Sequence, residues 1–403
     1  MTRNEIAQYA CRNTKFYHEK YRELLKDCAW EDLPIIQKHE VVHAGVSIIS
    51  AEYFSMIGDS RMIRIYTSGS TGESMELFTT NAEQAKALLS LWLYRRKYYN
   101  INMDAKFCYF FTVRDYLGET QFEYRGNGFG ISKELIQEQN IPMIYEKICS
   151  FHPDWLLLQP SIAMMLARYI FESDAPLIPS LRYIELSGEM VSEHQMQFIR
   201  NAFEAPVANQ YGCNEMGTIA YQCPMGHLHI MEHNAFVEIV PQSEEDERLG
   251  QGHIVVTAKN NKVMPLIRYD TGDIGRWKKG ACTCQNSAPI LELVGARKDD
   301  LIRLQNGDVV SANLFRRVFQ SIECCIDGRI YQYQIVQRDY DDFEIYIATD
   351  EEKTIIEKLF YQFVSNSVIK DSKFTFQYDT YILPQKKVGK MKFFSCNIPE
   401  MME

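Results

Sequence analysis

The sequence predicts an α/β protein in two parts. A large N-terminal part holds layered α/β subdomains and a β-rich segment, and a small α+β part follows. Three observations predict this. Between Phe107 and Ile184, short apolar runs (KFCYFFTV, PDWLLLQ, LRYIEL) alternate with helical stretches such as SIAMMLARYIF, which is the pattern of a layered sheet with helices. From Phe236 to Ile274 the texture changes to short strands with Gly, Pro and Asp turns (AFVEIVP, GHIVVTA, PLIRYDTGDIGRW). After VGARKDDLIRLQNGD, a hairpin-like YQYQIVQRDYDDFEIYIATD precedes an amphipathic EEKTIIEKLFYQFVSNSVI. A chain of 403 residues exceeds one small core, and the boundary is set near Asp299, dividing 1–298 from 299–403.

Along the chain, the first sixty or so residues carry apolar and charged side chains at helical spacing (IAQYACRNTKFYHEKYRELL). RMIRIYTSGSTGESMELFTT then reads as strand, glycine-rich loop, strand, and Asn81 is the cap candidate for a helix over AEQAKALLSLWLYRRKYY. Hydrophobic residues at 46% and charged residues at 24% are ordinary for a folded soluble chain, which excludes wholesale disorder. A formal charge of −10 argues against an electrostatic grip on nucleic acid or an anionic membrane. No apolar run has spanning length and the N-terminus lacks a signal-peptide core, so the expected address is the cytoplasm. Eleven scattered cysteines do not form a disulfide framework and are expected to be reduced, mostly buried small hydrophobes.

The loop YTSGSTGESMEL concentrates backbone N–H groups and hydroxyls that suit phosphate oxygens. It is not a Walker loop, because Gly72 precedes Glu73 where Lys is needed, and it is not the dinucleotide fingerprint. In isolation it is more often a turn. Glu215 and Asp273 are likewise more often solvated acids, and Lys390 sits in a lysine-rich tail with Lys386, Lys387 and Lys392.

The order of motifs decides otherwise. NQYGCNE (Asn209 to Glu215), YDTGD (Tyr269 to Asp273), GARKDD (Gly295 to Asp300) and PQKKVGK (Pro384 to Lys390) follow the loop. Together they resemble the motif series of the adenylate-forming superfamily: acyl-CoA synthetases, peptide-synthetase adenylation domains and luciferases. CRNTKFYHEKY, LPIIQK, HPDWLLLQPS and LRYIELSGEMVS resemble the phenylacetate–CoA ligase family within it, over nearly the whole chain.

That resemblance implies an AMP-forming acid–thiol ligase. Thr67, Ser68, Gly69, Ser70, Thr71 and Gly72 would wrap the triphosphate of ATP, and Glu215 would hold Mg²⁺, for which a hard carboxylate is suited. Asp273 would accept from the ribose hydroxyls with Arg297 nearby, while Gly188, Glu189, Asn209, Gln210, Tyr211 and Gly212 would border the adenine. Lys390 would bridge the acyl carboxylate and the α-phosphate. The C-terminal domain would then rotate about a hinge near Asp299 and admit CoA or the phosphopantetheine of an acyl carrier protein. A small aryl or arylacetic acid is the implied substrate, and a homodimer is left open. Rival readings are an amine or protein-thiol acceptor, and a catalytically silent nucleotide or acyl sensor. The chain departs from the family in ESME after the loop, in Asn214 where Thr is common, and in Ala296-Arg297 where Gly-Arg is usual.

Outside this series, YQCPMGHLHIMEH and KGACTCQNS bring Cys223, Cys282 and Cys284 together with an imidazole, a donor set for closed tetrahedral Zn²⁺. The separations are unlike a zinc finger. Some phenylacetate–CoA-ligase-like proteins carry a similar set, and His229 is chosen by likeness to their LHI element, with His227 as the alternate. Such a zinc would be structural. Arg268, just before YDTGD, reads as a structural ion-pair partner rather than a site residue.

Overall fold

The computed structural model describes residues 1–66, 75–112, 120–294, 300–379, 381–382 and 391–398. The chain folds into two compact units: Met1–Met103 with Ala208–Val294, and Asp104–Val207 with Gly295–Glu403.

In the first unit the N-terminal helices form as the apolar spacing predicts. Helix Arg3–Asn13 starts on a Thr2 capping box with Glu5, and Lys15–Tyr21 starts on Thr14. Both helices bury one face: Ile6, Ala7, Ala10, Tyr17 and Tyr21 join a core with Ile36, Ile254, Leu266 and Ile267. The Tyr17 hydroxyl accepts the Ile267 N–H at 3.0 Å, so the helices are fixed by a polar contact as well as by burial. Strands Met62–Tyr66 and Glu76–Thr80 pair antiparallel on either side of residues 67–74. Thr80 then caps helix Asn81–Tyr99 through a second capping box, with Glu83.

The β-rich segment is an antiparallel sheet in the order Ala235–Val240, Gly252–Ala258, Tyr269–Trp277, Ile290–Leu293, Leu228–Ile230, Gly217–Gln222, Val207–Cys213. Arg268 is buried beside it and pairs with Glu238 at 3.2 Å, the structural role read from the sequence.

The second unit contains the parallel layer. Strands Tyr183–Ser187, Trp155–Leu158, Phe107–Phe111 and Gly128–Ser132 pair in parallel, with Phe122–Arg125 antiparallel at one edge. Parallel neighbours need crossovers: helix Pro160–Ser173 joins Trp155–Leu158 to Tyr183–Ser187, and helix Ile141–Phe151 lies between Gly128–Ser132 and Trp155–Leu158. The α+β portion is a four-stranded sheet ordered Lys373–Tyr378, Asp342–Thr349, Ile330–Asp339, Phe394–Cys396. Its central hairpin is the one predicted, and helices Asn313–Glu323 and Lys353–Val364 cover it with Phe315, Phe319 and Phe360. Tyr331, Ala348 and Ile382 of this portion pack instead into the core of the parallel layer, with Ile162, Met165 and Phe198.

Candidate functional site

Between Tyr269–Trp277 and Val207–Cys213 the sheet order places three strands. A flat sheet would hold these two strands about 19 Å apart. Yet the Tyr211 hydroxyl donates to Asp273 Oδ2 at 2.9 Å and lies 3.4 Å from Thr271 Oγ1. The sheet is therefore strongly rolled, and the roll brings NQYGCNE and YDTGD to one place.

Local backbone chemistry builds each half. In YDTGD, Asp270 accepts the Gly272 N–H at 2.8 Å, and Thr271 Oγ1 accepts the Asp273 N–H at 3.2 Å. Gly272 sits at φ +78°, a conformation that L side chains rarely adopt, so the turn needs glycine. In NQYGCNE, a Cβ on Gly212 would stand 2.2 Å from the Gly217 carbonyl oxygen, so glycine is required for the close approach of the two strands. Gln210 donates to Thr218, and the Asn209 N–H donates to Gln222 Oε1 at 2.8 Å. Burial, and after it the neighbouring Glu215 carboxylate, pushes the Cys213 thiol well up; Asp273 adds to the same effect. Burial and then the Asp273 charge push the Tyr211 phenol up. Two half-buried carboxylates thus lie near Cys213, which suits a cation or a ligand rich in hydroxyl donors.

Gly188 and Glu189 follow strand Tyr183–Ser187, with Gly188 at φ +89°. The Glu189 carboxylate accepts the Ser161 N–H at 2.9 Å, the Ser161 hydroxyl at 3.1 Å and the Met391 N–H at 2.8 Å. Burial pushes this carboxyl up, against the pull of those donors. It lies at the start of helix Pro160–Ser173, where a negative charge meets unpaired N–H groups.

The cysteine and histidine residues converge as well. One ligand atom each from Cys223, His229, Cys282 and Cys284 lies within 4.8 Å of every other. Cys223 Sγ and Cys282 Sγ are 3.7 Å apart, and His229 Nε2 is 3.3 Å from Cys284 Sγ. A tetrahedron with metal–sulfur bonds of about 2.3 Å has edges of about 3.8 Å, so the spacing fits a metal of that size. His229 Nδ1 donates to the Ala288 carbonyl at 2.9 Å, which leaves Nε2 free to ligate. Burial lowers the basicity of His229 and favours the neutral, ligating imidazole. His227 is also near, with Nδ1 3.1 Å from Cys282 Sγ, so both histidines weighed from the sequence reach the cluster. Sequence reasoning did not single out Tyr98, whose hydroxyl is 3.9 Å from Cys284 Sγ; its i, i+4 spacing from Tyr94, whose ring it meets at a tilt, was the available signal.

The loop residues Thr67, Ser68, Gly69, Ser70, Thr71 and Gly72, together with Arg297 and Lys390, lie outside the described residues. Among the described residues, no helix is long and apolar enough to cross a membrane.

No family model matches the chain. It is 23% identical to Protein CapK of Staphylococcus aureus, across 98% of this chain and 87% of that one. It is 25% identical to a phenylacetate–coenzyme A ligase of Thermus thermophilus, across 61% of this chain and 55% of that one. Among solved structures, a 2-hydroxyisobutyryl-CoA ligase in its postadenylation state superposes with a TM-score of 0.73 at 15% identity, covering 98% of this chain and 88% of its own. The same ligase with CoA, in its thioesterification state, gives 0.58 over 98% and 87%. The fold is thus that of the adenylate-forming ligases.

Proposed function

We propose, on the premise that this chain carries the fold of the adenylate-forming ligases, that it activates a small carboxylic acid with ATP and passes the acyl group to a thiol. The carboxylate attacks the α-phosphorus, pyrophosphate leaves, and an acyl-adenylate remains. A pantetheine sulfur, of CoA or of a carrier protein, then attacks the acyl carbon and displaces AMP. An aryl or arylacetic acid is the substrate class, supported by the likeness to a phenylacetate–coenzyme A ligase.

The observation that carries this reading is the meeting of Tyr211 and Asp273 beside Glu215. In this reading Asp273 accepts from the vicinal hydroxyls of a ribose; its hydrogen bond from Tyr211, which fixes the carboxylate, supports this. The Asn209–Gly212 backbone borders the base. Glu215, a hard carboxylate partly open to solvent, is suited to Mg²⁺, which when bound offsets charge on the phosphates. Thr67 to Gly72 supply N–H and hydroxyl donors to the triphosphate. Lys390 supplies a compact cation over the reacting carboxylate and α-phosphate, where charge develops. Rotation about a hinge near Asp299 then withdraws Lys390 and admits the thiol.

Cys223, His229, Cys282 and Cys284 hold a structural Zn²⁺ in this reading. The donor set fits: three sulfurs and one oriented imidazole fill a tetrahedron and leave no open position. Burial pushes the Cys223 thiol up to about 12, so its thiolate form calls for a cation beside it.

The deciding experiment is ATP–pyrophosphate exchange over a panel of aromatic and aliphatic acids. Exchange dependent on one acid class supports the reading. ATP binding with no exchange for any acid contradicts it and favours a silent nucleotide sensor.

A further inference from the structure

Residues 383–390, which carry Lys386, Lys387 and Lys390, join two residues that the structure does describe, Ile382 and Met391. Both are tied by main-chain hydrogen bonds to buried polar side chains. The Ile382 N–H donates to Gln332 Oε1 at 3.3 Å, and the Met391 N–H donates to Glu189 Oε1 at 2.8 Å. The two anchors are linked to each other through one residue. Gln332 Nε2 donates to the Ser161 carbonyl at 3.4 Å, while the Ser161 N–H and hydroxyl donate to Glu189. The Gln332 amide also lies 3.7 Å from Met391 Sδ, so it touches both flanking residues.

Gln332 is 3% exposed, on a strand that also buries Ile330, Tyr331, Ile335 and Gln337, and a polar group enclosed there is stable only while its partners are kept. The Gln332 amide carbonyl and amide nitrogen both have partners, and Glu189 has three donors on two oxygens. Ile382 is 6% exposed and packs into the core of the parallel layer, which holds that end by burial as well. A surface lysine run needs none of this.

We infer that Gln332 and Glu189, joined through Ser161, are positioning residues that clasp both ends of the Lys390 segment in the adenylating arrangement. This rests on the function proposed above for what Lys390 does, but the clasp itself is a statement about the described residues. Two of its bonds, Gln332 to Ser161 and Met391 to Glu189, join the α+β portion to the parallel layer. These would have to break when Lys390 is withdrawn. The other bonds, Ile382 to Gln332 and Ser161 to Glu189, each stay on one side and would survive. The greater likeness to a postadenylation-state structure than to a thioesterification-state one supports assigning the closed clasp to the first half-reaction.

The test is limited trypsinolysis of the full chain, with cleavage after Lys386, Lys387 and Lys390 followed by mass spectrometry. Gln332→Leu keeps the volume but removes the acceptor of the Ile382 N–H and the second bond to the Ser161 carbonyl, which keeps its helical partner. It is expected to speed cleavage in this segment about tenfold or more, with cleavage elsewhere unchanged. Ser161→Ala, which removes only one hydroxyl contact, is expected to give a smaller acceleration, and it decides the matter should Gln332→Leu lose its cooperative melt. Unchanged cleavage in a folded variant overturns the clasp. For the positioning role, phenylacetate-dependent pyrophosphate exchange should fall in parallel with faster cleavage, while thioester formation from supplied phenylacetyl-adenylate and CoA is retained. Equal loss in both half-reactions overturns positioning. Absence of exchange in the wild-type chain, or full exchange in Lys390→Ala, marks failure of the functional reading, and cleavage then still decides the clasp.

Discussion

The Tyr211 hydroxyl donates a 2.9 Å hydrogen bond to Asp273 across 62 residues of sequence. The bond exists because the sheet rolls, so the two motifs meet without being neighbours in strand order. It also fixes which way the Asp273 carboxylate faces. Replacing Asp273 with Ala is expected to lower kcat/KM for ATP in pyrophosphate exchange about 100-fold, since two charge-assisted hydrogen bonds to ribose are lost. Tyr211→Phe keeps the carboxylate but frees its orientation, and a rise of about fivefold in KM for ATP is expected with kcat nearly kept. A Tyr211→Phe enzyme as poor as Asp273→Ala would show that the tyrosine contacts the nucleotide itself.

Lys390→Ala should reduce acyl-adenylate formation about 10²–10³-fold, the scale for removing one preorganised donor from a developing charge. Thioester formation from supplied acyl-adenylate should be largely spared. Measuring the two half-reactions separately checks this.

Protein purified without added zinc is expected to carry close to one zinc per chain by elemental analysis. His229→Ala should lose it and His227→Ala should keep it, because His229 Nδ1 is already committed to Ala288 and its Nε2 faces Cys284. Chelation should lower the melting midpoint of the wild-type chain and leave that of His229→Ala where it is. The opposite ranking of the two histidines would move the fourth ligand to His227.

Glu40 gives a pH-dependent contribution to stability. Burial opposes its ionisation, but the Lys20 ammonium and the Gln37 N–H outweigh that and hold its carboxyl below the ordinary value of 4.5. A depressed folded-state value means that the stabilisation is present above pH 4.5 and is lost as pH falls through the folded value. Glu40→Gln should therefore cost about 1 kcal/mol at neutral pH, as for a lost helix cap with an ion pair. The gap between variant and wild type should close in acid, as followed by urea unfolding at several pH values.

Much of the fold was legible because its signals are local. The helix start near Asn81, the Ile330–Asp339 hairpin partner and the amphipathic helix over Lys353–Val364 each announce themselves within a dozen residues, although the cap is Thr80, one residue before the Asn81 that the sequence suggests. At the site, motif order named Asp273 and Glu215, and the Cys/His segments outside that series named the Cys223/Cys282/Cys284 set. The rolling of the sheet was not legible, since it arises from how strands twist and pack and not from any one segment. Gln332 was illegible for a related reason. In YQYQIVQ it alternates like any strand glutamine, and only the fold shows that its face is the inner one. Glu189 was read as bordering a base; the structure adds that its carboxylate is already engaged by Ser161 and Met391.

Cys223 and Cys282 are 59 residues apart in the chain while their sulfurs are 3.7 Å apart. A cation held by both is therefore a removable cross-link across a long stretch. By the chain-entropy relation for a closed loop of this length, it would deny the unfolded state about 4 kcal/mol of conformational freedom. The stretch so closed contains Tyr269 to Asp273 and four strands of the sheet: Leu228–Ile230, Ala235–Val240, Gly252–Ala258 and Tyr269–Trp277. Metal supply would then act on refolding of the nucleotide segment from a distance, by limiting the shapes that the unfolded chain can take, without the ion touching substrate.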